Sequence, residues 1–248
     1  MNLVIDIGNT YTKIGVFKQD ELIFVKQCEV VDMAIMVGML GKYSPDASFI
    51  STVKKNEQEI WEMLLERKTR LTYFKVGMMD KGIKNHYGTP ETLGTDRLAA
   101  VIGANYIYPG KDSLIITGGT AITYDWVDAE GNYFGGSISP GLNMRYMALN
   151  NYTAGLPLIS ADDSFDAKYG SDTTSAIRSG VQNGIKYELT GFIESYKTGE
   201  KELNIILSGG DSIFFDTLLK NSIFAPCIKI EPYLVLKGLN AAIHNNND

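Results

Sequence analysis

The sequence has few cysteines and no surplus of positive charge, and each shortage excludes a class of protein. The two cysteines, Cys28 and Cys227, lie far apart without a CxxC spacing, so they can build neither a disulfide framework nor a zinc cluster. Lysine and arginine number 23 against 29 acidic residues, a formal net charge of −6 that argues against nucleic acid or an anionic membrane as the main partner. We therefore expect a small-molecule partner and, because cysteine is scarce, a cytoplasmic protein.

Long apolar runs are also missing from the sequence. No stretch approaches the roughly 20 apolar residues that span a bilayer, and the opening MNLVIDIGNT has no basic segment. The sequence thus predicts neither export nor anchoring. What is present is a globular composition of 248 residues, 44% hydrophobic and 21% charged. Folding of such a chain buries roughly 70–75% of its unfolded surface, in one large domain or two small ones.

Two segments share one plan: an apolar strand, a glycine-centred turn with a threonine, and a second strand. The first runs from Leu3 to Phe17 and the second from Leu114 to Asp125. The repeat favours two similar halves, although a single recurrence also arises by chance in α/β proteins. The turn-forming stretch 108–112 predicts a boundary, with an N-terminal domain at 1–110 and a C-terminal domain at 111–248.

Hydrophobic spacing predicts the remaining elements of an α/β fold. Strands are expected at 47–53, 71–76 and 203–207. Helices are expected at 54–68, 96–107, 173–196, 214–219 and 234–243, with Thr173 or Thr174 as the cap of the third.

The segment from Asp6 to Lys13, directly after the first strand, carries the strongest chemical signal. Gly8 lets a ligand approach the backbone, and the turn amides and hydroxyl groups offer donors suited to phosphate oxygens. Asp6 could hold Mg²⁺ against such phosphates, because this ion prefers oxygen ligands. Taken alone, the segment is also compatible with an ordinary hairpin turn and a solvated acid.

Two further glycine turns follow apolar strands, at Thr117–Thr120 and Ser208–Asp211. In nucleotide-binding folds built from two sheets, such turns grip the phosphates from both sides, and a third turn lies under the adenosine. Glycine pairs after strands are common, so the set of turns is more informative than any one of them.

The run Gly94-Thr95-Asp96-Arg97 supplies an acid–base candidate. In phosphoryl transfer a carboxylate orients the attacking hydroxyl and accepts its proton, a role that suits Asp96. Arg97 suits a substrate carboxylate, which it can clamp with paired hydrogen bonds. The alternative is an acid that merely favours the N-terminal dipole of a helix, next to a solvated arginine.

Together these motifs resemble the type III pantothenate kinases, a family within the actin, sugar-kinase and Hsp70-like ATPases. The resemblance covers nearly the whole chain, and the order and spacing of its motifs make it specific. The motifs are Asp6–Thr10, Gly94–Arg97, Gly119–Asp125, Gly135–Gly141, Leu156–Pro157, Gly170–Thr173 and Ser208–Asp211.

The resemblance implies an α/β fold of two ribonuclease-H-like domains with a nucleotide cleft between them, usually in a homodimer. It also implies an enzyme that transfers phosphate from ATP to the primary hydroxyl of pantothenate, which gives 4'-phosphopantothenate in the first step of coenzyme A synthesis. The implied cofactors are Mg²⁺ and a monovalent cation, potassium or ammonium.

Family positions carry over onto this chain residue by residue. The implied catalytic base is Asp96, Asp6 is the implied Mg²⁺ ligand, and Thr117 stands at the position of the monovalent cation. The implied ATP-binding residues are Asp6, Ile7, Gly8, Asn9, Thr10, Tyr11, Thr12, Lys13 and Thr120. The implied pantothenate-binding residues are Tyr87, Gly94, Thr95, Asp96, Arg97 and Thr173.

One position departs from the family pattern. The family usually has an aspartate before the second turn, whereas this chain has Thr117, whose neutral hydroxyl can coordinate a cation but supplies no charge to offset it. This leaves two alternatives open: a nucleotide-binding regulatory or accessory protein that has lost catalysis, and a kinase for another hydroxylated substrate. The matches at Gly94–Arg97 and Thr173 argue against the second. His86 is expected at the surface.

Overall fold

The computed structural model describes residues 1–52, 60–77, 82–197 and 203–243, which form two compact units. Unit 1 comprises the described residues of 1–110, 130–134 and 233–243, and unit 2 comprises those of 111–129 and 135–232. The sequence analysis also divides the chain after residue 110, but it assigns 130–134 and the last helix to the second domain. The division at 1–110 and 111–248 into domains stays a prediction.

The secondary-structure elements are numbered in chain order. The strands are β1 (Asn2–Ile7), β2 (Thr12–Lys18), β3 (Glu21–Cys28), β4 (Ala47–Thr52), β5 (Arg70–Tyr73), β6 (Lys84–Asn85), β7 (Ser113–Gly118), β8 (Ala121–Val127), β9 (Asn132–Pro140), β10 (Asn204–Gly209) and β11 (Ile228–Ile230). The α-helices are α1 (Met33–Tyr43), α2 (Ile60–Lys68), α3 (Thr95–Ile107), α4 (Leu142–Asn151), α5 (Thr173–Arg178), α6 (Gly184–Tyr196), α7 (Ser212–Leu219) and α8 (Leu234–Ile243). None of the helices in the described ranges is long and apolar enough to cross a bilayer.

The sheet of unit 1 has the strand order β3-β2-β1-β4-β5. The predicted hairpin is confirmed: β1 and β2 pair antiparallel, with Ile7 opposite Thr12. Consecutive residues of β1 are buried, because the strand is covered on both faces. β4 runs parallel to β1 and places Ser51 beside Asp6, so the carboxyl ends of both strands meet at one edge.

Helices α3 and α8 of unit 1 pack together through small residues. A Cβ on Gly238 would lie 1.8 Å from the carbonyl oxygen of Ala99, and a Cβ on Gly103 would lie 2.7 Å from that of Leu234. Only glycine permits such an approach. This contact fixes the helix that begins with the predicted acid–base motif.

In unit 2 the strands follow the order β11-β10-β7-β8-β9. β7 and β8 pair antiparallel and β10 runs parallel to β7, so the hairpin with a parallel neighbour found in unit 1 recurs here. Strands β7 and β10 and helix α6 supply much of the core through Leu114, Ile116, Ile185, Leu189, Ile205 and Leu207. The short strand β6 pairs with Asn132 and Tyr133 at the start of β9, and these residues belong to unit 1.

The predicted helix at 173–196 is interrupted by a π-helical turn at Ser179–Asn183, between α5 and α6. Its predicted cap is wrong. Asp172 is the N-cap: its carboxylate accepts the backbone N–H of Ser175, whose hydroxyl accepts the backbone N–H of Asp172. Helix α2 is described from Ile60 onward, and residues 54–59 of the predicted helix lie outside the described ranges.

Candidate active site

The first glycine turn joins β1 to β2. The Gly8 N–H donates to the Tyr11 carbonyl at 3.1 Å, and a Cβ on Gly8 would lie 3.0 Å from that oxygen. Asn9, Thr10 and Tyr11 are exposed, whereas Thr12 is buried in β2. The tip of the turn is therefore accessible to a ligand, which is a condition for a phosphate-binding turn.

The Asp6 carboxylate lies near the end of β1. Its Oδ1 atom is buried and has no hydrogen-bond partner among the described residues. Burial, together with the negative charge of Asp96, raises the pKa of Asp6 to about 7, against the opposing charge of Lys13. A buried carboxylate oxygen without a donor is destabilised unless it gains a proton or a cation. Asp6 therefore fits the role of a Mg²⁺ ligand.

The start of α3 lies next to this edge of the sheet. Ser51 is the β4 neighbour of Asp6, and its hydroxyl donates to the Thr95 hydroxyl at 3.0 Å. Asp96 follows Thr95 and is close enough to Asp6 to raise the pKa of that carboxyl. Unit 1 thus brings the first turn and the predicted base together.

Glycine at position 94 leaves room for the Asp96 carboxylate. A Cβ on Gly94 would lie 2.5 Å from Oδ1 of Asp96. That same Oδ1 accepts the backbone N–H of Arg97 at 2.9 Å. The carboxylate is therefore held in the first turn of α3, where the helix dipole also favours a negative charge.

Arg97 is nearly buried, with 6% of its surface exposed. Its guanidinium carbon lies 5.6 Å from the centre of the Tyr87 ring, a cation–π arrangement. Tyr87 in turn stacks on the buried ring of Tyr133, with centroids 6.4 Å apart and planes inclined by 7°. Arg97 is therefore not the solvated residue that the alternative interpretation assumes.

His86 is exposed, as the sequence analysis expects. Its ring stacks on Phe134 with centroids 4.7 Å apart, and its Nε2 lies 3.1 Å from Oδ1 of Asn132. These contacts account for its position without a ligand.

Unit 2 places the second and third glycine turns side by side. Thr117 and Ser208 are register partners on β7 and β10, and both hydroxyl oxygens are buried without a partner in the described part of the chain. Gly209 has a φ of +83°, and a Cβ there would lie 2.1 Å from the Gly118 carbonyl oxygen. Neutral oxygens suit a monovalent cation by type, but they supply no charge to balance it.

Thr120 ends the second turn and is exposed. Its carbonyl oxygen accepts the Gly141 N–H at 3.1 Å. A Cβ on Gly141 would lie 2.2 Å from the Gly119 carbonyl oxygen and 2.5 Å from that of Thr120. The end of β9 therefore packs directly against the backbone of this turn.

Thr173 is the exposed first residue of α5 in unit 2. Hydrogen bonds from the backbone and side chain of Ser175 hold the pKa of the Asp172 carboxyl below its usual range. Asp172 is thus occupied as a helix cap, whereas Thr173 faces solvent.

The described residues contain no group of three or more His, Cys, Asp or Glu side chains that could hold a metal ion. A Mg²⁺ ion does not require such a group, because it is often held by one or two carboxylates together with substrate phosphates and water.

Comparison with known proteins identifies the family of the chain. The model of the type III pantothenate kinase family matches residues 2–195. The chain belongs to the type III pantothenate kinase family. The resemblance carried by its motifs is thereby confirmed.

Curated relatives of the kinase match along its whole length. A type III pantothenate kinase from Bacteroides fragilis is 42% identical over 251 residues, which cover 100% of this chain and 99% of the relative. Another, from Phocaeicola vulgatus, is 40% identical over 250 residues, with the same shares covered. A third, from Christiangramia forsetii, is 40% identical over 251 residues and covers 99% of each chain.

Solved structures match the fold of the kinase. The activator of the 2-hydroxyisocaproyl-CoA dehydratase from Clostridium difficile, with bound ADPNP, has a TM-score of 0.54 at 10% identity and covers 97% of this chain and 92% of that one. Component A of the (R)-2-hydroxyglutaryl-CoA dehydratase from Acidaminococcus fermentans has a TM-score of 0.52 at 13% identity, with 97% and 95% covered. The predicted α/β fold of the ribonuclease-H-like type is confirmed.

The predicted site residues of the kinase fall into two groups. Unit 1 holds the segment Asp6–Lys13, Tyr87 and Gly94–Arg97, and unit 2 holds Thr117, Thr120 and Thr173. Their individual roles stay predictions.

The sequence analysis missed two residues that shape these groups. Ser51 links the edge of β1 and β4 to Thr95, and Tyr133 supports Tyr87. Ser208 was named as the start of the third glycine turn, but its place beside Thr117 was not predicted. The predicted strand at 47–53 could have indicated Ser51, because a strand parallel to β1 ends at the same edge. No local pattern indicates Tyr133.

Proposed function

We propose that this kinase transfers the γ-phosphate of ATP to the primary hydroxyl of pantothenate through the carboxylates of Asp6 and Asp96. The observation that carries the proposal is the closeness of these carboxylates beside the first glycine turn, in a chain of this family. Phosphoryl transfer demands positioning and charge stabilisation more than covalent chemistry by the protein.

Asp96 acts as the base. Its carboxylate orients the pantothenate hydroxyl and accepts its proton while the oxygen attacks phosphorus. The hydrogen bond from the Arg97 N–H keeps the carboxylate oriented during this step.

Asp6 is the residue that would hold Mg²⁺, since its buried Oδ1 has no hydrogen-bond partner among the described residues. The ion, when bound, neutralises charge on the phosphate oxygens of ATP. The segment Ile7–Lys13 supplies backbone and side-chain donors to the same phosphates. Because protons compete for Asp6, its ability to hold the ion increases as the pH rises through about 7.

Arg97 and Tyr87 bind the carboxylate end of pantothenate. A guanidinium forms paired hydrogen bonds with a carboxylate, and the Tyr87 ring beneath Arg97 limits its orientations. Gly94, Thr95 and Thr173 complete the pantothenate-binding set.

Thr120 binds ATP, and Thr117 marks the place of the monovalent cation. Ser208 offers a second neutral hydroxyl at that place, which supports weak binding of potassium or ammonium.

The kinase functions in the cytoplasm as a homodimer. Support for the dimer comes from apolar side chains that unit 2 leaves exposed on and after α4: Met144 (41%), Met147 (53%) and Tyr152 (88%). Light scattering coupled to gel filtration gives the mass in solution, and a fully active monomer would contradict this assignment.

The test of the proposed function is formation of 4'-phosphopantothenate from ATP and pantothenate by Asp96→Asn. General-base catalysis contributes about 10²–10⁴-fold, so we expect kcat to fall by that factor. The control is Asp163→Asn, which makes the same change at an exposed position and should retain wild-type turnover.

Three outcomes would count against parts of this proposal. Wild-type turnover by Asp96→Asn overturns the role of Asp96. If the wild-type protein binds ATP but phosphorylates no acceptor, the regulatory alternative holds. If it phosphorylates another hydroxylated compound in preference, the acceptor is wrong.

A further inference from the structure

A polar cluster in unit 2, separate from the predicted site residues, centres on Glu188 of α6. Its carboxylate accepts hydrogen bonds from the Tyr124 hydroxyl at 2.7 Å, the Ser139 hydroxyl at 2.5 Å and Nη2 of Arg145 at 2.5 Å. The side chains of Arg145 and Glu188 are only 19% and 22% exposed. We call Tyr124, Ser139, Arg145 and Glu188 the Glu188 cluster.

The carboxylate of this cluster is charged at neutral pH. Burial alone would raise its pKa, but the hydrogen bonds from Ser139, Arg145 and Tyr124 hold the pKa of Glu188 below its usual range. Hydrogen bonds to a charged acceptor are roughly twice as strong as those between neutral groups. Removing one partner from a largely buried ion pair leaves the other charge uncompensated. The Glu188 cluster therefore forms a strong contact between the segments that carry its four residues.

The Glu188 cluster joins α6 to the end of β9. Arg145 donates a further hydrogen bond from Nε to the Pro140 carbonyl at 2.9 Å, and its Nη2 lies 3.3 Å from the Ser139 hydroxyl. Glu188 thus holds residues 139–140 directly through Ser139 and indirectly through Arg145.

The same short segment packs against the second glycine turn. Gly141 donates its N–H to the Thr120 carbonyl, and its α-carbon is so close to the Gly119 and Thr120 carbonyls that no Cβ would fit. Residues 139–141 therefore cannot shift toward the turn without moving its backbone. Misplacement by about 1 Å is enough to cost about 100-fold in an enzyme reaction.

We propose that Glu188 is a positioning residue for ATP, which fixes the backbone of Gly119 and Thr120 through Ser139 and Arg145. The proposal rests on the proposed function, in which Thr120 binds ATP. Glu188 acts through its neighbours and not by contact with the nucleotide.

The test is Glu188→Gln, with ATP affinity measured by titration calorimetry and the KM values of both substrates measured by turnover. The amide NH₂ places a donor opposite the Arg145 guanidinium, so the Glu188 cluster loses its carboxylate charge and part of its bonding. Groups that orient the ligands of a metal ion typically contribute about 10–100-fold, and we expect the lower end of this range for a backbone segment oriented through two neighbours. We expect Kd and KM for ATP to rise about 10-fold and KM for pantothenate to change less than about 2-fold.

Glu194→Gln is the matched control, because it makes the same change at an exposed position on α6. We expect wild-type values for both substrates. Arg145→Lys keeps the charge but loses the planar fork, and we expect an effect on ATP between those of Glu188→Gln and the control.

The outcomes separate this proposal from the proposed function. ATP affinity in Glu188→Gln equal to the wild type overturns it, and so does an equal rise in both KM values, which indicates general structural damage. If Glu188→Gln does not fold, Ser139→Ala removes a single donor, and unchanged ATP affinity in that variant overturns the proposal. A wild-type protein that binds ATP without phosphorylating pantothenate rejects the proposed function, and the calorimetric comparison still tests Glu188.

Discussion

The turns that follow β1 and β7 share a backbone plan and differ in charge. Each belongs to an antiparallel hairpin with a parallel strand beside it, β4 in unit 1 and β10 in unit 2. The equivalent positions before the turns are Asp6 and Thr117. Both side chains carry a buried oxygen without a hydrogen-bond partner among the described residues.

The same geometric situation has different chemical consequences. The carboxylate of Asp6 is destabilised as an anion, so its pKa rises to about 7 and it favours a cation. The hydroxyl of Thr117 is neutral, and leaving it unpaired costs only about 1–3 kcal/mol. We infer that this single difference gives the first turn a pH-dependent carboxylate that suits a metal ion, whereas the equivalent hydroxyl of the second turn carries no charge.

The largest effect is expected from removing the charge of the first turn. Asp6→Asn should lower kcat/KM for MgATP by about 100-fold or more, because the amide is a poor Mg²⁺ ligand and removes the charge. The matched change on the second turn, Thr117→Val, should cost less than about 10-fold, since no charge is lost. Steady-state kinetics at varied Mg²⁺ measure both. An equal fall in kcat/KM in the two variants would contradict the difference that we describe between the two turns.

The next effect concerns stability and pH. The pKa of Asp6 is raised on folding, so the folded state binds the proton more tightly and its stability falls as the pH rises from about 4 through about 7. Asp6→Asn removes this dependence. At pH 8 without Mg²⁺ the variant should be more stable than the wild type by roughly 1–4 kcal/mol, and at pH 4 the difference should vanish.

Urea unfolding at both pH values measures this difference. Asp163→Asn serves as the control, because its carboxyl is exposed and should leave the pH dependence intact. Parallel stability curves for the wild type and Asp6→Asn would show that Asp6 does not titrate as described.

A smaller effect is expected from adding charge to the second turn. Thr117→Asp places a carboxylate beside the Ser208 hydroxyl, so the potassium concentration for half-maximal activation should fall about 10-fold. Turnover is measured in sodium with increasing potassium, and unfolding is monitored because a new buried charge destabilises the fold. An unchanged potassium concentration for half-maximal activation would show that the cation does not bind at Thr117.

The smallest effect is expected at Ser208. Its hydroxyl has no partner to lose in the described part of the chain, so Ser208→Ala should lower the free energy of unfolding by no more than about 1 kcal/mol. Ser51→Ala provides the contrast: it breaks the hydrogen bond to Thr95 and should destabilise by about 1 kcal/mol. Denaturant unfolding measures both, and a loss above about 2 kcal/mol in Ser208→Ala would contradict the account.

Local patterns predicted much of the fold. The hairpin of β1 and β2 and the helix α3 follow from apolar periodicity and from turns that each involve a few consecutive residues. The motifs also predicted the family. The break in the helix at Ser179–Asn183 was missed, because this stretch continues the helical periodicity and its π-helical geometry depends on tertiary packing.

The contacts that connect distant segments could not be predicted. Glu188 meets Tyr124, Ser139 and Arg145 over separations of 64, 49 and 43 residues. The raised pKa of Asp6 likewise depends on burial and on Asp96, which is far away in sequence. Such effects follow from the tertiary fold, and no spacing in the chain indicates them.

The most direct test of the central claim is mass-spectrometric detection of 4'-phosphopantothenate made from ATP and pantothenate by the purified wild-type protein with Mg²⁺. The reaction is run in sodium alone and again with potassium or ammonium added. The account predicts product when potassium or ammonium is present. Product in sodium alone would show in addition that activity does not require potassium or ammonium at Thr117. ATP binding without product under every condition would contradict it.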